Sequence, residues 1–292
     1  MAAKRDAANQ TDGLVVVDKP AGWTSHDVVA RCRKVFGQKR VGHSGTLDPD
    51  ATGVLLVGLG RVTRLLRFLT DLPKEYTGVV VLGVATSTLD ASGEVTGEWD
   101  MSGITLDDAR RAAAGLTGEI LQVPPMVSAL KVAGRRLHEL AREGVEVDRE
   151  ARPVTVYRYD VVGPAPDGVP SSFAIDVRCS SGTYVRTLAA DLGEALGGGA
   201  HLRDLRRTAI GSFTVADAVP LEELTPEHAI TPVDALRDYP LVEVDADAER
   251  DLSHGKRLGG LPAGVVRVVS AADGRLLAMY ADGKPEVVLP AH

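Results

Sequence analysis

Residues 40–56 (RVGHSGTLDPDATGVLL) set three glycines, one histidine and an Asp-Pro pair between an amphipathic helix and an apolar strand. Gly42, Gly45 and Gly53 let the backbone take unusual angles and approach a ligand closely. His43 and Asp48 therefore stand on a loop carried by regular scaffold, the usual station of reactive groups. Pro49 restrains Asp48 to an extended or turn geometry and removes a competing donor beside it. Taken alone, Asp-Pro is a common turn and a single histidine is ordinary.

Several chemistries fail against this loop. It lacks the Gly-Lys-Ser/Thr ending of a phosphate loop and has no Gly-x-Ser-x-Gly elbow. Asp48 and Asp50 have no histidine ligand set around them, so no metal site is expected. What remains is a carboxylate acting alone, as nucleophile or base, with the glycine loop shaped around its substrate.

The flanking chain reads as α+β. Gly13 to Asp18 is a buried strand ended by the turn Lys19 to Gly22. Thr24 or Ser25 caps a helix whose apolar face carries Val28, Val29, Cys32, Val35 and Phe36, and Gly37 closes it. A loop from Val41 to Gly53 leads into a strand from Val54 to Leu59, and Tyr76 to Val84 is another. Thr105 to Asp108 resembles a capping box that opens a helix to Ala114. Arg135 to Glu143 is expected as a short basic amphipathic helix stopped by Gly144. Val154 to Val162 and Phe173 to Cys179 read as paired strands. Thr183 is expected to cap a helix running to about Leu196, ended by Gly197, Gly198 and Gly199. The acidic, proline-bearing stretch from Asp217 to about Tyr239 reads as a linker. A helix from Ala246 to Ser253 and strands at Val265–Val269, Leu276–Tyr280 and Val287–Leu289 follow. The expected organisation is a flexible tail over 1–12, a large α+β domain over 13–238 and a small, mostly β appendage over 239–292.

The net charge of −7 speaks against nucleic acid only until its distribution is read. Arg31 to Lys74 holds nine Lys/Arg against three Asp, whereas Asp217 to Asp251 holds eleven Asp/Glu against two Arg. A basic face on an acidic protein still binds phosphates, because the field at the contact surface decides. No apolar run approaches the roughly 18–20 residues that a membrane span needs. Met1 to Asp12 is polar, without a signal-peptide stretch. Cys32 and Cys179 have no metal-ligand spacing and are too few for a disulfide framework. A reducing cytoplasm and no membrane partner are expected.

Several ordered motifs carry a resemblance. They are Asp18–Ser25 (DKPAGWTS), Gly42–Pro49 (GHSGTLDP), Lys74–Tyr76 (KEY), and Val123–Pro125 (VPP) with Ser128–Lys131 (SALK). Cys179–Thr187 (CSSGTYVRT) and His201–Arg207 (HLRDLRR) complete the set, all within residues 13–213. Together they resemble the TruB family, the tRNA pseudouridine synthases that isomerise a T-loop uridine at tRNA position 55 without a guide RNA. The resemblance implies a pseudouridine-synthase-like mixed or antiparallel sheet flanked by helices. It implies Asp48 as nucleophile and no metal or organic cofactor. The N1–ribose bond would break, the base turn, and the bond re-form through C5. Addition of the carboxylate to sugar or base, or removal of the ribose 2′ proton, are equally open routes.

The same resemblance gives the other site residues their expected roles. Tyr76 would stack on the uracil, Tyr184 line the base pocket, and Arg186 pair with Asp48 to hold it ionised. Asp90 would join the pocket's hydrogen-bond network, and Leu205, read as an apolar helix residue, would wall it. The target uridine has to be flipped out of a folded loop, and His43 is suited to fill the vacated space. Lys19 would support the loop or contact RNA. Lys131, Arg135 and Arg136 belong to an insertion over about 124–152 that would close on the RNA. Three positions depart from the pattern: His138 and Val127 stand where aromatics are usual. Asp50 adds a negative charge two residues from Asp48, and is expected to point outward. The segment after about Tyr239 resembles a small β-barrel RNA-binding module of the PUA type. The expected partner is tRNA, through its T-arm and acceptor arm, bound by a monomer. The alternative is a non-catalytic RNA-binding protein or tRNA folding chaperone on the same scaffold.

Overall fold

A computed structural model describes residues 10–128, 131–132, 135–136, 143, 145 and 147–289. They group into two compact units. The first comprises the described residues of Met1–Pro49, Val54–Thr70 and Gly211–His292; the second is Asp50–Gly53 with Asp71–Ile210.

In the first unit Thr11 and Asp12 are anchored. The Thr11 N–H donates to Gln38 Oε1 at 2.9 Å, and the Asp12 carboxylate pairs with Arg61. The apolar run of β1 (Gly13–Lys19) is buried almost throughout, as a strand covered on both faces requires. In α1 (Ser25–Val35) the cap is a reciprocal box: Thr24 Oγ1 accepts the Asp27 N–H at 3.1 Å, and the Asp27 carboxylate accepts the Thr24 N–H at 3.0 Å. The expected loop from Val41 is not wholly irregular. Its first residues form β2 (Val41–His43), antiparallel to β3 (Thr52–Leu59), with Gly42 opposite Gly58. A Cβ on either glycine would press on Leu66 at 3.2 or 2.9 Å, so α2 (Leu66–Asp71) packs where side chains are missing.

The second unit holds β4 (Lys74–Leu82), β5 (Val84–Thr86), β6 (Val95–Glu98), α3 (Leu106–Gly115) and β7 (Gly118–Gln122). A hairpin of β8 (Lys131–Val132) and β9 (Arg135–Arg136) follows. Then come β10 (Arg152–Pro164), β11 (Ser172–Cys179), α4 (Val185–Ala195) and β12 (Ala200–Ile210). Its sheet runs β12-β4-β11-β10-β7, antiparallel throughout, with Thr52 and Gly53 added parallel to Arg206 and Arg207. Gly53 has a φ of 102°, and a Cβ there would lie 2.1 Å from the Arg207 carbonyl oxygen, so only glycine fits.

Three expectations change in this unit. Arg135 and Arg136 are strand rather than helix, because they pair back onto Lys131 and Val132; residues 137–142 of the expected helix and its expected stop at 144 lie outside the described residues. The helix cap is Tyr184, not Thr183. Residues 200–210, with Leu205 among them, form a strand and not a helix.

The first unit resumes with β13 (Phe213–Thr214) and β14 (Val219–Pro220). The acidic stretch expected as a linker is structural. Val219 and Pro220 pair parallel with Val17 and Asp18, and Leu14 and Ile230 exchange hydrogen bonds of 3.0 and 2.9 Å. Leu221 and Leu224 enter the core with Val15, Val17, Val28, Cys32 and Leu55. After β15 (Leu241–Val244) and α5 (Ala246–Ser253) come β16 (Val265–Ser270), β17 (Leu276–Ala281) and β18 (Lys284–Val288). These form an open four-stranded sheet in the order β15-β16-β17-β18, over a core of Leu252, Val266, Val268, Leu277 and Tyr280. The described strands do not close into the expected barrel. Cys32 and Cys179 are buried free thiols, pushed by burial up to about 12 and about 11. Among the described residues no helix is long and apolar enough to cross a membrane.

Candidate active site

In the first unit the β1–α1 turn holds the chain on both sides of Asp48. Before it, Ser25 Oγ accepts the Leu47 N–H at 2.9 Å and donates to the Leu47 carbonyl at 3.3 Å. After it, the Pro49 carbonyl accepts the Gly22 N–H at 2.9 Å and Lys19 Nζ at 2.8 Å. Lys19 Nζ also donates to the carbonyls of Pro20 at 2.9 Å and Trp23 at 2.6 Å. Lys19 is 0% exposed, so its ammonium is solvated by carbonyl dipoles instead of water. The ammonium braces the loop, the first of the two roles expected of Lys19. Asp48 is half-buried and Asp50 exposed, the latter as its charge demands.

His43 lies at the end of β2. Its Nδ1 accepts the Gly45 N–H at 3.2 Å, which assigns the ring proton of the neutral imidazole to Nε2. The His26 ring, in the first turn of α1, meets it edge-to-face at 5.4 Å and 87°.

The second unit gathers a different set. Tyr76 is buried on β4, between Val177 of β11 and Arg207 of β12. Tyr184 is fixed by a reciprocal pair from β7 that sequence reasoning missed. Gln122 Oε1 accepts the Tyr184 N–H at 2.8 Å, and Gln122 Nε2 donates to the Tyr184 carbonyl at 3.1 Å. Nothing in the residue type announced this. A buried glutamine in a strand is found only by its partners.

Arg186 is buried in the first turn of α4. Its guanidinium donates to the Thr88 carbonyl at 2.8 Å and the Val127 carbonyl at 2.9 Å, and pairs with Asp90 Oδ2 at 3.2 Å. Asp90 Oδ1 in turn accepts Thr88 Oγ1 at 2.6 Å and the Ser92 N–H at 3.1 Å. Asp90 and Arg186 are thus held by one network and Tyr184 by its own pair with Gln122, all in the second unit, while Asp48, His43 and Lys19 belong to the first unit.

Leu205 follows Asp204, whose φ is 54°, at a register shift between Arg203 and Arg206. Its Cα lies 3.7 Å from where a Cβ of Gly78 would stand, so the missing side chain on β4 makes room for the bulge. Lys74 Nζ, also buried, donates to the Leu72 carbonyl at 2.7 Å. Burial and then the Arg207 charge pull its pKa down to about 8. Arg135, exposed on β9, pairs with Glu143 at 2.5 Å. Among the described residues no His/Cys/Asp/Glu grouping is placed to hold a metal ion.

Residues 33–185 match the TruB family pseudouridylate synthase N-terminal domain, and residues 186–239 the tRNA pseudouridylate synthase B C-terminal domain. The chain belongs to the TruB family. It is 49% identical to a tRNA pseudouridine synthase B of Rhodococcus jostii (strain RHA1), over 89% of this chain and 86% of that one. It is 50% identical to a protein of the same name from Corynebacterium glutamicum, over 84% of each chain. Among solved structures it resembles a chain of a Cbf5-Nop10-Gar1 complex, with a TM-score of 0.71 at 26% identity, over 96% of this chain and 84% of that one. The fold is accordingly that of the pseudouridine synthases, α+β with a large mixed sheet.

Proposed function

We propose that this TruB family member isomerises uridine to pseudouridine in tRNA, at position 55 of the T-loop, with Asp48 as the nucleophile and no guide RNA. The observation that carries the reading is the bracing of Leu47 and Pro49 on either side of Asp48. A backbone fixed on both sides presents its carboxylate with little orientational freedom left to lose, which is what attack on a bound nucleotide needs. Arg186, itself held by Asp90, is the cation that keeps Asp48 ionised during the reaction. Tyr76 stacks on the flipped uracil, Tyr184 lines its pocket, Leu205 closes the pocket wall, and His43 fills the gap left in the loop.

Lys131, Arg135 and Arg136 grip the RNA backbone through an insertion that spans about 124–152. The segment over 239–292, with its open four-stranded sheet, contacts the acceptor arm as an RNA-binding module. Family membership leaves the non-catalytic alternative without an observation in its favour.

The deciding experiment incubates purified protein with unmodified tRNA, without metal or guide RNA, and maps pseudouridine by sequence position. Product at position 55 is expected. Modification elsewhere in the tRNA would overturn the positional assignment, and no product at all would overturn the reading.

A further inference from the structure

We propose that His26 is a positioning residue for His43, and so for the base-flipping step rather than for the bond-breaking chemistry. The inference rests on the function proposed above. It starts from a weakness of histidine: the χ2 torsion between an sp3 carbon and an sp2 ring is broad and two-fold, so a rotamer alone does not fix the imidazole plane. His43 needs a fixed plane if it is to stand in for a base inside a loop.

Two contacts supply it. The Gly45 N–H on Nδ1, at 3.2 Å, selects which edge of the ring faces the glycine turn. The His26 ring, 5.4 Å away and perpendicular at 87°, sets the tilt, within the separation at which aromatic pairs prefer the edge-to-face arrangement.

His26 suits the task because its own backbone is fixed. It sits between Ser25, tied to Leu47 through both polar groups of that peptide residue, and Asp27, locked in the capping box with Thr24. The segment that carries His26 is thus stitched to the loop that carries His43. His26 is itself exposed, so burial does not account for an aromatic at this position.

The test is single-turnover and steady-state kinetics of His26→Ala and His26→Phe on two RNAs. One is the unmodified tRNA. The other is a T-arm hairpin in which the loop partner of the target uridine is removed, which makes extrusion cheaper. His26→Ala is expected to lower kcat on tRNA about tenfold with KM within about threefold, and to lose much less on the altered hairpin. His26→Phe, which keeps an edge-to-face ring, is expected to recover most of the rate on tRNA.

Equal rates for wild type and His26→Ala on tRNA would overturn the inference. So would an equal loss on both RNAs, or a loss that His26→Phe does not recover, since either marks a general structural defect. Wild-type protein inactive on both RNAs would overturn the functional reading and this inference with it.

Discussion

Ser25 Oγ binds both polar groups of Leu47, accepting its N–H at 2.9 Å and donating to its carbonyl at 3.3 Å. A single hydroxyl thereby replaces the two ladder partners that this stretch of loop lacks. Both residues are buried, so Ser25→Ala leaves the Leu47 N–H without its acceptor, at a cost of about 1–3 kcal/mol. Because Asp48 is the next residue, small displacement of the loop should be felt in the rate, by roughly tenfold to a hundredfold. Urea unfolding and single-turnover assays are the measurements. A variant that loses stability but keeps the full rate would detach Ser25 from the geometry of Asp48.

Asp48→Asn keeps the shape of the side chain and removes its charge. Product formation should fall by on the order of ten-thousand-fold, as for other lost nucleophiles, while tRNA affinity changes by no more than about threefold. Filter binding beside a pseudouridine assay distinguishes the two effects. Turnover retained in the asparagine variant would mean that another group attacks.

Arg186→Lys tests whether the guanidinium acts as a fork or only as a charge. Arg186 reaches the Thr88 carbonyl and the Asp90 carboxylate from one terminal nitrogen and the Val127 carbonyl from the other. A lysine carries its donors on one atom and cannot span them, so buried acceptors are left unmet. The expected loss is about 1–3 kcal/mol in stability, and roughly a hundredfold in kcat with KM little changed. Wild-type kcat in the lysine variant would reduce the role of Arg186 to a point charge.

Local signals were legible where one element follows one rule. The Thr24 cap, the Thr105–Asp108 box, the buried run of β1 and the helix Ala246–Ser253 all formed as their residues dictate. The strand β12 was hidden because its two register shifts break the alternation that marks a strand, leaving apolar residues at spacings that suit a helix. The stretch from Asp217 to Tyr239 was hidden by its acids, which stay outside while Leu221, Leu224 and Leu236 go in. At the candidate site, the glycines and the Asp-Pro pair pointed to the loop. The burial of Lys19 and the Gln122–Tyr184 pair were not readable, since each depends on carbonyls or strands far along the chain.

Asp191 predicts a pH signature of the second unit that is independent of the chemistry. It lies on α4, and burial, followed by the charge of Glu194, raises its carboxyl from 3.8 to about 6. The Tyr159 hydroxyl, fully enclosed on β10, is pushed upward by burial and then by Asp191. The folded protein therefore holds a proton on Asp191 between about pH 4 and 6 that the unfolded chain has released. Stability from this group falls as pH rises through that window, and the penalty is complete above it. Asp191→Asn cannot ionise, so it should gain on the order of 1–3 kcal/mol over wild type at pH 7.5 and much less at pH 4.5. Urea unfolding of both proteins at the two pH values measures this. An equal difference at both would show that the Asp191 carboxyl titrates as it does in the unfolded chain.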